Sequence, residues 1–489
     1  MPLQKNQVLT LRVERLSSDG SGVAHSPDGE TVFIPGAAPG DEARVRIVKD
    51  CKRYAFGILD EVLTPSPDRI PVDCAVAGPC GGCSLRHLDY AAELRAKQEN
   101  VADAFARIGG LDVPVLPIVG SPEVNRYRNK VQFPVGVDKS GKPCIGFYAG
   151  RTHRIVPCPD CRLQPGVLNE IGNALCAFFA EKGIQPYSEE TGRGLVRHIF
   201  LRRGAHSGQI MVCLVCTRAK LPSAEELCTR LKAQFAEITT ILLNVNAKNT
   251  NVILGTETHT LYGQGYIEDT LCGVPVQLGP LSFYQVNTLA AEQLYGIAAQ
   301  YAQLTPDDLL LDLYCGMGTI GLSMAAHCRE LIGVEIVPEA IESAKANAAR
   351  MGADVAAKSR FFCADAGQAA TRLAAEGLHP DIVMLDPPRK GCDEATLSAV
   401  VRMSPRRVVY VSCNPATAAR DAAWLEQNGY HAEKVQPVDL FPRTRHVETV
   451  VLLSKGEVDS KKIRVEFSLE DMDMSEFQDG ATYPQIKEY

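Results

Sequence analysis

The chain has 489 residues, of which 45% are hydrophobic and 22% charged, more than one hydrophobic core usually supports, so about two to four domains are expected. Met1 to Thr10 lacks the apolar stretch of a secretory signal and no run is apolar enough to cross a bilayer, which argues against a membrane class and makes the cytoplasm the expected compartment. The net charge of −7 excludes a uniformly basic protein but not a nucleic-acid binder, because phosphate recognition draws on local clusters of Lys and Arg.

From Gln7 to about Leu63 short apolar stretches alternate with turn signals. Leu9, Leu11 and Val13 precede Asp19-Gly20-Ser21-Gly22; Val32 and Ile34 precede Pro39-Gly40-Asp41; Val45 and Ile47 follow. This spacing predicts a small antiparallel β-barrel of the oligonucleotide-binding type over 1–65. Lys49, Lys52, Arg53, Tyr54 and Phe56 suit phosphate contact and base stacking. Thr64-Pro65-Ser66-Pro67 reads as a linker.

A central α+β domain is expected over 66–275, with a helix near 85–108 and further strands and helices from Tyr127 to about Gly263. It opens on Cys74, Cys80 and Cys83, a C-x5-C-x2-C spacing with Gly81-Gly82 permitting a tight turn. Seventeen cysteines without a secretory signal do not suggest disulfides, since the cytosol keeps thiols reduced, so metal binding or reactivity becomes the question. With Cys158 or Cys161 as a fourth ligand, the set suits zinc or an iron-sulfur cluster. The same region carries basic clusters: Arg126, Arg128 and Lys130; Arg151, His153 and Arg154; and Arg193, Arg197, His198, Arg202 and Arg203.

From Leu309 the pattern becomes regular. Apolar strands at Leu309–Leu313, Leu331–Glu335, near Asp365, Asp381–Leu385 and Arg407–Ser412 alternate with helices, among them 320–328, 338–350 and one from Pro415. Such alternation predicts a parallel sheet covered on both faces. Two last strands, 431–438 and 448–453, have no long helix between them and are expected to close it as an antiparallel pair, giving a Rossmann-like methyltransferase domain over 276–455.

Asp312-Leu313-Tyr314-Cys315-Gly316-Met317-Gly318-Thr319 places a glycine-rich turn between the first strand and its helix, where the backbone can approach a nucleotide. Glu335 ends the next strand, roughly 20 residues on, where a carboxylate can accept from both ribose hydroxyls. Asp365 ends the third, on the adenine side, and no second phosphate turn is visible. A cofactor without pyrophosphate, S-adenosyl-L-methionine, therefore fits better than a dinucleotide.

Asp386-Pro387-Pro388-Arg389 and Ser412-Cys413-Asn414-Pro415 follow the fourth and fifth strands, on the ligand side of an open α/β sheet. Cys413 stands where a helix begins, whose positive end favours thiolate. Addition of a thiolate to C6 of uracil gives C5 carbanion character, so that it attacks a sulfonium methyl; a base must then remove the C5 proton. Glu448 begins the last strand and can reach the same mouth.

Tyr127-Arg128-Asn129-Lys130, Phe283-Tyr284-Gln285-Val286-Asn287, Asp312-Leu313-Tyr314-Cys315-Gly316, Asp386-Pro387-Pro388-Arg389, Ser412-Cys413-Asn414 and His446-Val447-Glu448 together resemble the ordered motifs of the RNA uracil-5 methyltransferase family, over nearly the whole chain to about Ser454. The resemblance implies that Cys413 is the nucleophile and Glu448 the base. It also implies that Gln285, Tyr314, Thr319, Glu335, Asp365 and Asp386 line the cofactor and base pockets. The family's ribosomal RNA branch carries a TRAM barrel and an oxygen-sensitive 4Fe-4S cluster on this cysteine pattern, whereas its tRNA branch lacks both. The resemblance therefore implies a cluster on Cys74, Cys80, Cys83 and Cys161, a class I methyltransferase domain, and structured RNA as partner, 23S ribosomal RNA before tRNA, with no obligate protein partner. The alternatives are an inactive iron-sulfur RNA-binding protein and a cytosine-5 enzyme, against which Glu448 speaks. The acidic extension over 456–489 lies beyond the resemblance.

Overall fold

Five strands, β1 (Val8–Leu16), β2 (Ser21–His25), β3 (Thr31–Pro35), β4 (Glu42–Asp50) and β5 (Tyr54–Thr64), close into a barrel in the order β1-β2-β3-β5-β4. The strand period of two does the sorting: along β4, Ala43, Val45 and Ile47 are buried while Glu42, Arg44 and Arg46 face water. Every neighbouring pair is antiparallel except β3 and β5, which run parallel. Five strands in a ring cannot all alternate in direction, so the fully antiparallel barrel expected from the sequence acquires one parallel seam. Gly57 makes the closure possible, since a Cβ there would lie 2.3 Å from Val45 Cγ1.

In this computed structural model, residues 3–456 are described, apart from Arg151 and Asn249, so nearly all of the acidic extension lies outside the described residues. After the barrel come α1 (Ala77–Cys80) and α2 (Tyr90–Arg107). Asp89 caps α2 by accepting from Ala92 N at 2.9 Å, which starts the helix five residues later than the apolar pattern suggested. A seven-stranded sheet follows, ordered β12-β11-β10-β9-β6-β7-β8. Its strands are β6 (Lys130–Val137), β7 (Pro143–Tyr148), β8 (Ile155–Pro157), β9 (Val196–Arg203), β10 (Ile210–Cys216), β11 (Ile238–Val245) and β12 (Glu257–Tyr262). Helices α3 (Gly166–Glu181) and α4 (Ala224–Gln234) cover one face and share its core. A hairpin, β13 (Ile267–Leu271) and β14 (Val274–Leu278), then leads to α5 (Thr288–Ala302).

The last sheet has the order β17-β16-β15-β18-β19-β21-β20. Strands β15 (Leu309–Leu313), β16 (Glu330–Glu335), β17 (Ser359–Cys363), β18 (Ile382–Leu385) and β19 (Arg407–Ser412) are parallel, joined through α6 (Thr319–Met324), α7 (Pro338–Met351), α8 (Ala353–Lys358), α9 (Ala366–Ala375) and α10 (Glu394–Met403). After α11 (Pro415–Gln427), β20 (Tyr430–Val438) and β21 (Glu448–Lys455) complete it, β21 running antiparallel to both β19 and β20. All five residues of β15 are buried, as a strand covered on both faces requires. The helix expected over 320–328 ends at Met324 and continues as a single 3₁₀ turn.

Met1–Lys455 forms one compact unit. The segment 90–119, read from the sequence as part of the central domain, belongs physically to the last sheet. Val101, Ala104 and Phe105 of α2 share a core with Ala418, Ala419 and Ala422 of α11, and Val115 and Val119 bridge to Val435 and Val438 of β20.

Candidate active site

The glycine-rich turn after β15 depends on left-handed backbone at Tyr314, Gly316 and Gly318, with φ of 67°, 55° and 81°. Only at the glycines is this free of strain. Gly316 N donates to Glu335 Oε2 at 3.2 Å and Val337 N to Oε1 at 3.0 Å, so Glu335 is held at the tip of β16 beside the turn. The next two residues, Ile336 and Val337, are 61% and 46% exposed, an apolar shelf next to that carboxylate. Asp365 heads α9 and accepts from Gln368 N at 3.1 Å. Asp312 is buried, with Oδ2 accepting from Gly321 N at 3.0 Å and Oδ1 unpartnered; burial, with Asp386 and Glu335 nearby, pushes it up to about 8.

A second group lies under the turn. Tyr295 of α5 is buried, with its hydroxyl 3.4 Å from Thr319 Oγ1; Gln285 bonds to it, and Asp386 faces it. Gln285, Thr319 and Asp386 are thus brought together by a tyrosine that no sequence motif signalled. Tyr314 takes another direction. Its hydroxyl is 3.5 Å from Thr396 Oγ1 and bonds to Cys392, on the α10 side. The Gln285 segment is held from the central domain: Asn129 N and Nδ2 donate to the carbonyls of Val286 and Gln285, both at 2.8 Å.

Cys413 and Glu448 meet because of strand register. Ser412 of β19 pairs with Thr449 of β21, so the next rung, one residue forward from Ser412 and one back from Thr449, sets Cys413 beside Glu448. Thr449 Oγ1 donates to Ser412 O at 3.2 Å, and Asn414 caps α11 through Ala416 N. The same Asn414 donates through Nδ2 to Arg389 O at 2.9 Å, which fastens the Asp386–Arg389 loop to the cysteine. Arg389 hydrogen-bonds Cys413 and faces Glu448.

The electrostatics differ from the expectation of a helix-stabilised thiolate. Burial, reinforced by Glu448 and Asp386, pushes the Cys413 thiol up, and Arg389 is the cation that opposes this. Burial and Asp386 hold Glu448 well above the usual carboxylate range, and burial raises Asp386 to about 7. The helix end is outweighed because two carboxyl groups share a dry site with the thiol. Arg389, present in a motif but given no role by sequence reasoning, is the cation that opposes the rise of both Cys413 and Glu448.

Cys74, Cys80, Cys83, Cys158 and Cys161 lie near one another. Cys80 and Cys83 each feel Cys161, and Cys80 feels Cys74. Cys158 is buried and hydrogen-bonds Cys161, which lowers Cys161 to about 7 while Cys158 is raised. Arg86, 3% exposed, lies beside Cys83; its Nη1 donates to Asp73 Oδ1 at 2.7 Å and Asn125 Oδ1 at 3.1 Å, while Nε and Nη2 are unpartnered. The chemistry of this donor set, soft thiols around a buried guanidinium, fits an anionic thiolate-bound group. Its spacing is not that of an ion site: among the described residues no three His, Cys, Asp or Glu side chains are arranged to hold a metal ion.

A parallel sheet with an antiparallel β21, a glycine turn after its first strand and acidic residues at the ends of the next two defines a class I methyltransferase fold. Residues 205–456 match the family described as tRNA (uracil-5-)-methyltransferase, and residues 2–59 match the TRAM domain. An uncharacterized RNA methyltransferase of Halalkalibacterium halodurans is 43% identical, covering 92% of this chain and 98% of its own; one of Clostridium tetani is 40% identical, covering 93% and 98%. The crystal structure of the tRNA (uracil-54, C5)-methyltransferase of Pyrococcus abyssi, in complex with S-adenosyl-L-homocysteine, aligns with a TM-score of 0.72 at 27% identity, covering 91% of this chain and all of that one. The chain belongs to the tRNA (uracil-5-)-methyltransferase family of RNA methyltransferases, with an N-terminal TRAM domain.

Proposed function

We propose that this protein methylates C5 of a uridine in structured RNA, using Cys413 as nucleophile and Glu448 as base. The observation that carries the reading is the register that sets Cys413, Glu448, Asp386 and Arg389 around one mouth at the carboxyl end of the sheet.

S-adenosyl-L-methionine would sit at the carboxyl ends of β15 and β16, beside the glycine turn. Glu335 would take the ribose hydroxyls, the shelf of Ile336 and Val337 with Asp365 the adenine side, and Gln285, Thr319 and Asp386 the amino-acid end, while Tyr314 shapes the turn. Bound there, the cofactor supplies an electrophilic methyl group. Arg389 lowers the cost of ionising Cys413, which gives up its proton to solvent as RNA binds; the thiolate adds to C6 and makes C5 nucleophilic. Once C5 is methylated, the ionised form of Glu448 accepts the C5 proton, the C5–C6 double bond re-forms and the thiolate leaves. A carboxylate with a raised proton affinity suits that abstraction.

Cys74, Cys80, Cys83 and Cys161 are proposed to hold a 4Fe-4S cluster that ties the cysteine loop to residues 158–164. Iron and labile sulfide analysis of anaerobically purified protein, with Cys161→Ser against Cys158→Ser, tests it; stoichiometric zinc without sulfide overturns it. The substrate proposed is 23S ribosomal RNA, acted on in the cytoplasm without an obligate protein partner. A specific observation favours tRNA as a second reading: the matching family model is described as tRNA (uracil-5-)-methyltransferase, and the Pyrococcus abyssi protein that aligns over 91% of this chain is named for a tRNA uracil.

Mapping 5-methyluridine in ribosomal and transfer RNA, from cells with and without the gene, decides between them. With the purified protein, Cys413→Ala is expected to bind RNA without forming product or adduct, whereas Glu448→Gln accumulates a methylated protein–RNA adduct resistant to denaturation. Methylation by Cys413→Ala, or normal turnover by Glu448→Gln, overturns the assignment.

A further inference from the structure

Glu448 is the first residue of β21, and its ladder partner is Val438, the last residue of β20. The loop 439–447 between them is long for a hairpin connection, and a one-residue slip would turn Glu448 to the opposite face of the sheet. Something outside the hairpin must hold this rung.

Three charged side chains converge there from two elements remote in sequence. Lys97 of α2 is 2% exposed, and Glu93 of α2 and Asp439 are 0% exposed. Lys97 Nζ donates to Glu93 Oε1 at 2.7 Å, to Asp439 Oδ1 at 2.8 Å and to the carbonyl of Phe441 at 3.2 Å. Asp439 Oδ1 also accepts from Phe441 N at 3.0 Å, and Oδ2 accepts from Tyr90 at 3.0 Å. Glu93 Oε1 accepts from Arg443 N at 2.7 Å, where the backbone is left-handed at φ 69°. The loop is therefore pinned at residues 439, 441 and 443, starting next to the rung that carries Glu448. Buried ion pairs are seldom the most stabilising filling for such a site, but they fix geometry in a way that apolar contacts do not.

We infer that Lys97, Glu93 and Asp439 form a buried ionic clamp that sets the register of the β20–β21 hairpin and so positions Glu448. The inference rests on the proposed role of Glu448 in taking the C5 proton as the double bond forms and the Cys413 thiolate leaves. These are positioning residues: none touches the reacting atoms.

The partition of the covalent intermediate tests it. In the full-length protein, Asp439→Asn keeps the shape of the site and removes one charge; the paired variant Lys97→Met with Glu93→Gln removes the other two together. Supplied with RNA and S-adenosylmethionine, each is expected to form the methylated adduct at close to the wild-type rate. Each should release product about tenfold to a hundredfold more slowly, as misplacing a catalytic group does. Lys97→Arg, which keeps the charge, should release product faster than the paired variant. A general loss of folding would lower adduct formation and release together, and that result, or release at the wild-type rate, overturns the clamp. Glu448→Gln run in parallel separates the two readings. If it traps no adduct the base assignment is wrong; if it traps adduct and the clamp variants do not, the clamp alone is wrong.

Discussion

At the scale of single residues, the site is organised by carboxyl groups kept short of water. Asp386 is raised to about 7 and Asp312 to about 8, both by burial first. A carboxyl whose folded pKa stands above its unfolded value holds its proton more tightly when folded. Its stabilising contribution is therefore complete at low pH and is lost as pH rises from 3.8 through about 7 for Asp386. Asp386→Asn cannot lose a proton, so its thermal midpoint should gain on that of the wild type between about pH 4 and about pH 8. Calorimetry of both proteins across that range checks this, and parallel curves would show that Asp386 is not held neutral. The motifs named most of these residues, because short-range patterns such as Asp386-Pro387-Pro388-Arg389 survive as sequence. Tyr295 was not legible: it is one aromatic among several on α5, and only folding brings it between Gln285, Thr319 and Asp386.

At the scale of elements, caps and latches place the chemistry. Asn287 caps α5 through Ala290 N and donates through Nδ2 to Ser121 Oγ and Leu440 O, both at 3.0 Å. It thereby joins the Gln285 segment, the connection after α2 and the loop that leads to Glu448. Loss of a cap costs about 1 kcal/mol, and stranding buried acceptors about 1–3 kcal/mol more, so Asn287→Ala should lower unfolding stability by about 2–4 kcal/mol. Denaturant unfolding measures it; a loss under about 0.5 kcal/mol, the size of an ordinary surface change, would mean that the latch is dispensable. The strands of the last sheet were readable to within a residue or two, since a doubly covered sheet needs continuous apolar strands. The start of α2 was not, because the apolar pattern runs on through Leu85 and Leu88, which instead pack with Ala38 of the barrel.

At the scale of the whole molecule, the barrel has a core of its own and presents a triad of rings on its surface. Phe33, Tyr54 and Phe56 lie with centroids 5.6–5.8 Å apart, and Tyr54 is 40% exposed. With Lys49 paired to Phe56 across the β4–β5 ladder, and Lys52 and Arg53 in the turn that joins these strands, this face suits stacking of unpaired bases. Tyr54→Ala in the full-length protein should weaken RNA binding about tenfold or more, the scale of one lost stacking contact, and leave S-adenosylmethionine binding unchanged. Filter binding and calorimetry test the two halves; equal loss of both ligands would mean that the substitution unsettles the fold. Among the described residues no helix is long and apolar enough to cross a membrane.

The sequence by itself determined the barrel, the parallel sheet and the glycine turn, and singled out Cys413 and Glu448 as the candidates proposed for catalysis, because each rests on a local period or a short motif. Tertiary structure alone decided which distant residues meet. It drew α2 out of the central domain onto α11, set Arg389 beside Cys413, turned Tyr314 towards Thr396, and reversed the expected ease of ionising the thiol. The reason is physical: burial and the convergence of like charges are sums over the surrounding structure, and no window of sequence contains the neighbours that make them.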